Sequence, residues 1–145
     1  MVTIDELLKQ WTNDAIIDES NINRELLNIP KLHAKYIQIM FEYKKFALKC
    51  KFDYDKLKNI KTEYYSGNLD YESLKEYGWQ PFDLKLMKNG VERYLSSDED
   101  LIKILQKKSY YEQGVGLCES ILTELKSRTF QLRAYIDHQK FLNGA

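Results

Sequence analysis

The residues of this sequence whose types and spacing fit a chemical role are lysines, concentrated between residues 44 and 61. Lys44, Lys51 and Lys58 are seven residues apart and therefore follow one line along a helix. Four further lysines fall around that line: Lys45, Lys49, Lys56 and Lys61. Aromatic side chains are interleaved with them: Tyr43, Phe46, Phe52, Tyr54, Tyr64 and Tyr65. Because ammonium groups neutralise phosphates and rings stack on unpaired bases, this combination predicts a surface for single-stranded nucleic acid.

The same lysines have a second interpretation, a solvated helix face whose lysine stems cover apolar surface. A formal net charge of zero favours that alternative, but the charge is unevenly distributed. Residues 31–66 carry a net charge of +5 and residues 101–145 a net charge of +3, whereas residues 1–30 and 67–100 each carry −4. A nucleic acid responds to the local potential, which is screened over about 10 Å at 0.1 M salt, so the basic segments remain candidates. The second of them contains its own basic patch, formed by Lys126, Arg128 and Arg133.

Groups that support catalysis or hold a metal do not converge in this sequence. There is no phosphate loop of the Walker type, and no strand precedes Gly114-Val115-Gly116 as a dinucleotide turn requires. The two histidines are far apart, and neither cysteine has a histidine at motif spacing. The carboxylates of Asp98-Glu99-Asp100 suit the positive end of a helix. We therefore expect no catalytic residue, no structural metal and no cofactor.

The basic residues lie on a segment whose apolar pattern predicts a long helix over residues 31–66. Its seam runs at steps of three and four from Tyr36 through Tyr43 and Cys50 to Tyr64. That spacing averages about 3.5 residues, as in coiled-coil helices that wind around a partner. Since no glycine or proline interrupts the segment, nothing in the sequence ends this helix early.

A second long helix is predicted over residues 97–142, beginning at the capping pattern of Ser97 and Asp100. Gly114 and Gly116 inside it cost about 1 kcal/mol each relative to alanine, so either the helix bends there or another backbone approaches closely, and we expect the close packing. Two seams of this length exceed what one chain can cover, and we therefore expect a homo-oligomer. The predicted subunit interface is the seam of Tyr111, Val115, Cys118, Leu122, Leu125, Leu132 and Ile136.

The remaining segments complete a single domain, residues 1–145, whose fold class is mostly α. Residues 1–30 are expected to form two short helices, the first capped by Thr3 and Glu6 and the second ending near Asn28. Pro30 then fits the first turn of the long helix.

Residues 67–96 are expected to form an irregular connector with one short helix, Tyr71–Tyr77, that ends at Gly78. The pair Asn89-Gly90 is a hairpin signal, which leaves a small hairpin open within residues 82–95 against a loop or a short helix.

The sequence has no apolar run near 18 residues, so we expect no membrane span, and Met1–Leu8 lacks the apolar core of a signal peptide. Cys50 and Cys118 both lie on helical apolar seams, and we expect them to be reduced core residues.

Five strings of residues, taken in their order along the chain, resemble the UvsY family, recombination mediators of T-even-type bacteriophages. The strings are Ala47-Leu48-Lys49-Cys50-Lys51, Tyr64-Tyr65-Ser66-Gly67, Tyr94-Leu95-Ser96-Ser97-Asp98, Leu125-Lys126-Ser127-Arg128-Thr129-Phe130 and Phe141-Leu142-Asn143-Gly144. The family's basic motif has the form L-K-A-R, whereas this chain ends it with Lys51, which keeps the charge but loses the planar fork of arginine. The tyrosine-containing string also follows the motif at a greater distance than in the family.

The resemblance implies a homo-oligomeric ring, hexameric or heptameric, that binds single-stranded DNA. It also implies two protein partners, a RecA-like phage recombinase and the phage single-strand-binding protein that the recombinase replaces, in the cytoplasm of the infected bacterial host. Matching the L-K-A-R motif residue by residue assigns DNA contact to Lys49 and Lys51. Charge placement adds the candidates Lys44, Lys45, Lys58, Lys126 and Arg128. A structural coiled-coil adaptor without nucleic-acid binding remains the alternative.

Overall fold

The computed structural model describes residues 1–144, and every regular element within that range is helical, which confirms the mostly α fold class. The helices are α1 (Ile4–Asp14), α2 (Ile22–Tyr65), α3 (Tyr71–Tyr77), α4 (Lys88–Ser96) and α5 (Glu99–Leu142), and a 3-10 turn at Glu19–Asn21 precedes α2. The chain divides into two compact units. The first comprises residues 1–45 together with the chain from Tyr111 onwards, and the second comprises Phe46–Tyr110.

The first unit packs α1, the N-terminal part of α2 and the C-terminal part of α5 around one core. The predicted capping box opens α1, because the Glu6 N–H donates to the Thr3 hydroxyl and the Thr3 N–H donates to the Glu6 carboxylate. The side chains that this unit buries most completely are Leu7, Tyr36, Tyr43, Cys118, Ile121 and Leu125. Cys50, in the second unit, is buried as well, and both cysteines are free thiols in the structure, as predicted for core residues.

Helix α2 begins earlier than the sequence indicated, and the prediction of a separate second short helix within residues 1–30 is wrong. The chain runs as one helix from Ile22 to Tyr65, with Pro30 inside it. No residue of this stretch has a positive φ, so nothing turns the backbone out of the helix before Pro30. The proline removes one backbone donor but does not divide the helix.

Close packing at the glycines of α5 is confirmed for Gly114 and not for Gly116. A Cβ added at Gly114 would overlap the ring of Tyr43, whereas a Cβ added at Gly116 would meet no other atom within 4 Å. The approaching group is a side chain of α2 and not the expected backbone, and this fully buried ring also contacts Tyr111 at a ring-centroid distance of 6.3 Å.

The second unit is built around Val91, Leu95 and Leu101, against which Tyr54 and Leu57 of α2 pack. Helix α3 spans the residues predicted for it. Asp70 caps its start and Gly78, at a φ of 71°, ends it. The irregular stretch from Trp79 to Phe82 follows, and its rings join a cluster of aromatic side chains: Tyr64, Tyr65, Trp79, Phe82 and Tyr94.

Of the alternatives left open for residues 82–95, the structure shows the short helix and not the hairpin, because residues 88–96 form helix α4. A two-residue hairpin turn at Asn89-Gly90 needs positive φ angles, and Gly90 does not have one. Val91 and Leu95, four residues apart, are both buried on the same helix face. The connector of residues 67–96 therefore contains two short helices rather than one.

The start of α5 uses a different cap from the one predicted. The Asp98 carboxylate accepts a hydrogen bond from the Leu101 N–H at 3.0 Å, as an N-cap side chain does. The Ser97 hydroxyl instead donates to the carbonyl of Arg93 in the preceding helix.

Most of the seam predicted as a subunit interface is the core of the first unit. Tyr111, Cys118, Leu125 and Leu132 are at most 9% exposed, so their side chains are covered by their own chain. Val115, Leu122 and Ile136 are only partly buried. The prediction failed because α2 packs against this part of α5 within the first unit, where the Tyr43 ring lies against Gly114 and Tyr111.

The two glycines of α5 provide a matched test of packing. We expect Gly114→Ala to lower the free energy of unfolding by about 1–3 kcal/mol, because the added methyl group overpacks the core at Tyr43. Gly116→Ala should raise it by up to about 1 kcal/mol, since alanine is the better helix former and the position is open. Urea denaturation followed by circular dichroism measures both changes. Equal effects of the two substitutions would contradict the conclusion that Gly114 is closely packed and Gly116 is not.

Candidate nucleic-acid interface

The second unit presents a basic helix face at the residues matched to the L-K-A-R motif. Lys49, Lys51 and Lys58 are all exposed on α2. Leu48 and Phe52, four residues apart on the same face, are 52% and 55% exposed. At about 100° per residue, Lys49 lies to one side of this apolar pair and Lys51 to the other. Two ammonium groups therefore flank an exposed ring, the arrangement that suits a phosphate backbone with unstacked bases.

The first unit carries the next two predicted lysines, farther towards the N-terminus of α2. Lys44 and Lys45 are exposed, and the Lys44 Nζ lies 5.4 Å from the centroid of the Phe41 ring. Phe41 is itself 59% exposed. Our sequence reasoning missed Phe41 and Leu48 as surface residues, although both fall off the apolar seam of α2.

The interleaved aromatic residues do not share one role. Tyr43 is fully buried, and its hydroxyl donates to the carbonyl of Val2. Tyr64 and Tyr65 are partly buried in the aromatic cluster of the second unit. Phe52 is the aromatic residue of this set that the structure leaves most open to a partner.

Lys61 is not part of the exposed basic face, because its side chain is 6% exposed and pairs with two carboxylates. Its Nζ lies 3.0 Å from Asp98 Oδ2 and 3.0 Å from Asp100 Oδ2. The ring centroid of Trp79 is 4.2 Å away. Burial lowers the pKa of Lys61, but the hydrogen bonds and charges of the two aspartates outweigh it and raise the pKa above its usual value.

Asp98 is the centre of this cluster, since it also accepts a hydrogen bond of 2.6 Å from the Tyr65 hydroxyl. Burial raises the pKa of its carboxyl. The hydrogen bonds from Tyr65, from the Leu101 N–H and from Lys61 outweigh burial and hold the pKa below its usual value of 3.8. The cluster holds the C-terminal end of α2 against the start of α5, and that attachment orients the exposed lysines of α2, which lie between one and about three turns earlier.

Arg128 is buried, which removes it from the predicted DNA contacts. It is 4% exposed, and its guanidinium donates to the carbonyls of Asp14 and Ala15 at 3.1 Å each. It therefore satisfies the C-terminal carbonyls of α1, and it lies 5.6 Å from the ring centroid of Trp11. Of the patch on α5, Lys126 and Arg133 remain exposed.

The described part of the chain, residues 1–144, contains no group of three histidine, cysteine, aspartate or glutamate residues placed to hold a metal ion. No helix in that part is both long and apolar enough to cross a membrane.

The helical fold, the exposed basic face and the accessible aromatic rings are typical of helical proteins that bind single-stranded nucleic acid. Residues 10–145 match the family described as "Recombination, repair and ssDNA binding protein UvsY". The chain therefore belongs to the UvsY family, as its sequence strings predicted. Its membership confirms the expected function at the level of the family, single-stranded-DNA binding in recombination and repair.

Individual relatives extend over almost the whole chain. The recombination protein uvsY of Enterobacteria phage T4 is 23% identical over 141 residues, which cover 97% of this chain and 98% of the relative. A crystal structure of the bacteriophage T4 recombination mediator protein UvsY, lattice type II, matches with a TM-score of 0.86 at 22% identity and covers 99% of each chain. The lattice type IV structure matches with a TM-score of 0.84 at 22% identity, over 94% of this chain and 97% of that one. The fold is thus shared with that protein.

Acid titration tests the role of Asp98. Because its pKa is lower in the folded than in the unfolded chain, its stabilising contribution is complete above the usual value of 3.8 and is lost as the pH falls through the folded pKa. We expect Asp98→Asn to lower the free energy of unfolding at neutral pH by about 3 kcal/mol and to flatten the acid dependence below about pH 5. Urea denaturation at a series of pH values measures both effects.

The matched control for that titration is Asp83→Asn, at an exposed carboxylate of the same unit. The control should leave both the stability and the acid dependence close to those of the wild type. An acid dependence that is the same in Asp98→Asn and in the wild type would contradict the role of Asp98.

Proposed function

We propose that this protein is a recombination mediator that binds single-stranded DNA and promotes loading of a RecA-like phage recombinase onto DNA covered by the phage single-strand-binding protein. The observation that carries the proposal is the exposed pair Lys49 and Lys51 beside Phe52, on a helix of a chain that belongs to a single-stranded-DNA-binding family. The name of the phage T4 relative, a recombination mediator, supports the finer assignment. The site of action is the cytoplasm of the infected bacterium.

The proposed DNA contacts are exposed lysines that reach phosphates without leaving their helices. Lys49 and Lys51 are the central contacts, and the further candidates are Lys44, Lys45, Lys58 and Lys126, all of them exposed. Lysines seven residues apart on a helix recur about every 10.5 Å, so one α2 helix touches only a few nucleotides. Tight binding therefore depends on contacts repeated over several subunits of an oligomer.

The proposed assembly is a homo-oligomer, hexameric or heptameric, whose contacts use apolar side chains that the single chain leaves uncovered. Phe130 and Phe141 of α5 are 67% and 78% exposed and are eleven residues apart, which places them on one helix face. The seam residues that are only partly buried, Val115, Leu122 and Ile136, extend the apolar surface of the same helix.

Removal of the central lysines tests the DNA-binding surface. We expect the double variant Lys49→Ala and Lys51→Ala to bind single-stranded DNA about tenfold or more weakly at 0.1 M salt. The dependence of log Kd on log salt should also be shallower, because fewer counterions are released. Fluorescence anisotropy of a labelled oligonucleotide at two salt concentrations measures both.

The control for this test is the double variant Lys75→Ala and Lys85→Ala, which removes two exposed lysines from the acidic connector. It should bind as the wild type does. If Lys49→Ala with Lys51→Ala kept the affinity and salt slope of the wild type, the central contact would be wrong and Lys126 would become the leading candidate. A protein that bound no single strand at any salt concentration would instead be a structural adaptor.

Native mass spectrometry tests the assembly. We expect the wild type to give multiples of the 17.3 kDa chain, with six or seven copies. The double variant Phe130→Ser and Phe141→Ser should give smaller species, because it removes apolar contact area without touching the core. Circular dichroism should show that its helices are retained. A wild type that remains a 17.3 kDa species at micromolar concentration would contradict the proposed ring.

A further inference from the structure

The second unit contains a cleft of about 560 Å³ between α2 and α4, and the proposed lysine contacts assign no role to it. The volume lies within the range of about 300–1,000 Å³ that small-molecule sites occupy. Four side chains form its apolar lining: Tyr54, Leu86, Val91 and Leu95. Two exposed lysines from different helices stand at its rim: Lys58 and Lys88.

The lining of this cleft is part of the folded core. Val91 and Leu95 are each 8% exposed and form the core of the unit together with Leu101. Tyr54 and Leu86 are partly buried and pack against that core. The cleft is therefore formed by packed helices before any ligand enters, and it offers an aromatic ring and aliphatic walls to a flat, largely apolar group.

The rim of the cleft adds positive charge. The Nζ of Lys58 lies 5.9 Å from the centroid of the Tyr54 ring, so that ammonium group stays close to the opening. Lys88 lies on α4, and Glu92, one turn later, lines the same cleft. The two ammonium groups favour an anion at the opening, while the Glu92 carboxylate accepts hydrogen bonds and disfavours an anion deeper along α4.

Two of the hydroxyl groups that line the cleft, those of Thr62 and Ser96, act as acceptors as well. The Thr62 hydroxyl donates to the Lys58 carbonyl at 2.7 Å and the Ser96 hydroxyl donates to the Glu92 carbonyl at 2.8 Å. Since each hydroxyl hydrogen is already used, the oxygens are left to accept hydrogen bonds. Acceptors suit the amino groups on the edges of adenine, cytosine and guanine, whereas thymine has no amino group.

We propose that this cleft holds one unstacked base of the bound DNA strand, with the adjacent phosphates at Lys58 and Lys88. The inference rests on the proposed function, because it extends the same DNA surface. Lys58 belongs to α2, seven residues after Lys51, so a strand that follows the exposed lysines of the helix reaches the mouth of the cleft. The occupant is a nucleotide of the strand rather than a free nucleotide, because the ammonium groups lie beside a continuing row of lysines.

Plugging the cleft from an exposed position tests this proposal. Ser96→Phe introduces a ring from the rim, and Ser66→Phe does so from the end of α2; both serines are exposed residues that line the cleft. The matched control is Ser120→Phe, at an exposed serine of α5 in the first unit. Circular dichroism confirms folding of each variant before binding is measured.

Each protein is titrated with two oligonucleotides of equal length, oligo-dC and a strand of abasic sites that keeps the phosphates. The preference is the ratio of the Kd for the abasic strand to the Kd for oligo-dC. We expect this ratio to be about tenfold larger for the wild type and Ser120→Phe than for either cleft variant, because stacking and burial of a base account for affinity of that order. The cleft variants should bind the abasic strand as the wild type does. An undiminished preference in both cleft variants would overturn the proposal.

A photochemical cross-link identifies the ring that meets the base. Oligonucleotides carrying 5-iododeoxycytidine should cross-link to the peptide that contains Tyr54 in the wild type, and this cross-link should be lost in Ser96→Phe. Cross-links confined to Phe41 or Phe52, with normal affinity for oligo-dC, would overturn the cleft and leave the proposed function standing. Absence of binding to either strand would overturn both. Free dCMP is also tested as a competitor. If it competed as effectively as oligo-dC at the same nucleotide concentration, the occupant would be a free nucleotide, and its assignment to the DNA strand would be overturned.

Discussion

The ammonium group of Lys61 is buried, and a buried charge is tolerated only where its partners are held in place. Asp98 and Asp100 supply the opposite charge from the start of α5, and the ring of Trp79 covers a further side. A shift of α2 by one residue would leave this charge without its carboxylates, so the cluster fixes the register of α2 in the second unit. The same register leaves Lys58 exposed, three residues before Lys61 on the same helix. One buried lysine thus determines which of its neighbours remain available to a ligand.

Features that depend on a few neighbouring residues were predictable from the sequence. The capping box of Thr3 and Glu6 and the end of α3 at Gly78 are local chemistry, and the structure contains both. The glycine at position 114 was also interpretable as a point of close approach, although the sequence did not indicate that the approaching group is the Tyr43 ring. For the two helix ends, the group that satisfies the signal lies within one turn, whereas the Tyr43 ring is distant from Gly114 in sequence.

Features that depend on distant residues were not predictable. The carbonyls that accept hydrogen bonds from Arg128 are 114 and 113 positions away in sequence. Arg128 was assigned to a basic patch from the charges near it in sequence, and those charges carry no information about such distant partners. The hairpin signal at Asn89-Gly90 failed for a related reason: Val91 and Leu95 bury one helix face against Leu101, and that packing outweighs the turn preference. The core seam of α5 likewise looked like an intermolecular surface because an apolar seam does not reveal which partner covers it.

A formal net charge of zero coexists with a basic helix face because the charge is unevenly distributed along the chain and several of the acidic groups have structural roles. Asp14 binds Lys35, Asp98 binds Lys61, and Asp70 caps α3. These carboxylates act at short range, on the start of a helix and on the ammonium groups of two lysines, of which Lys61 is buried. Lys49 and Lys51, by contrast, extend from the exposed face of α2. A DNA strand within a Debye length of this face, about 10 Å at 0.1 M salt, is attracted by these exposed charges and not by the net charge of the whole chain. Whether DNA is attracted therefore depends on which charges are exposed and which are paired inside the fold.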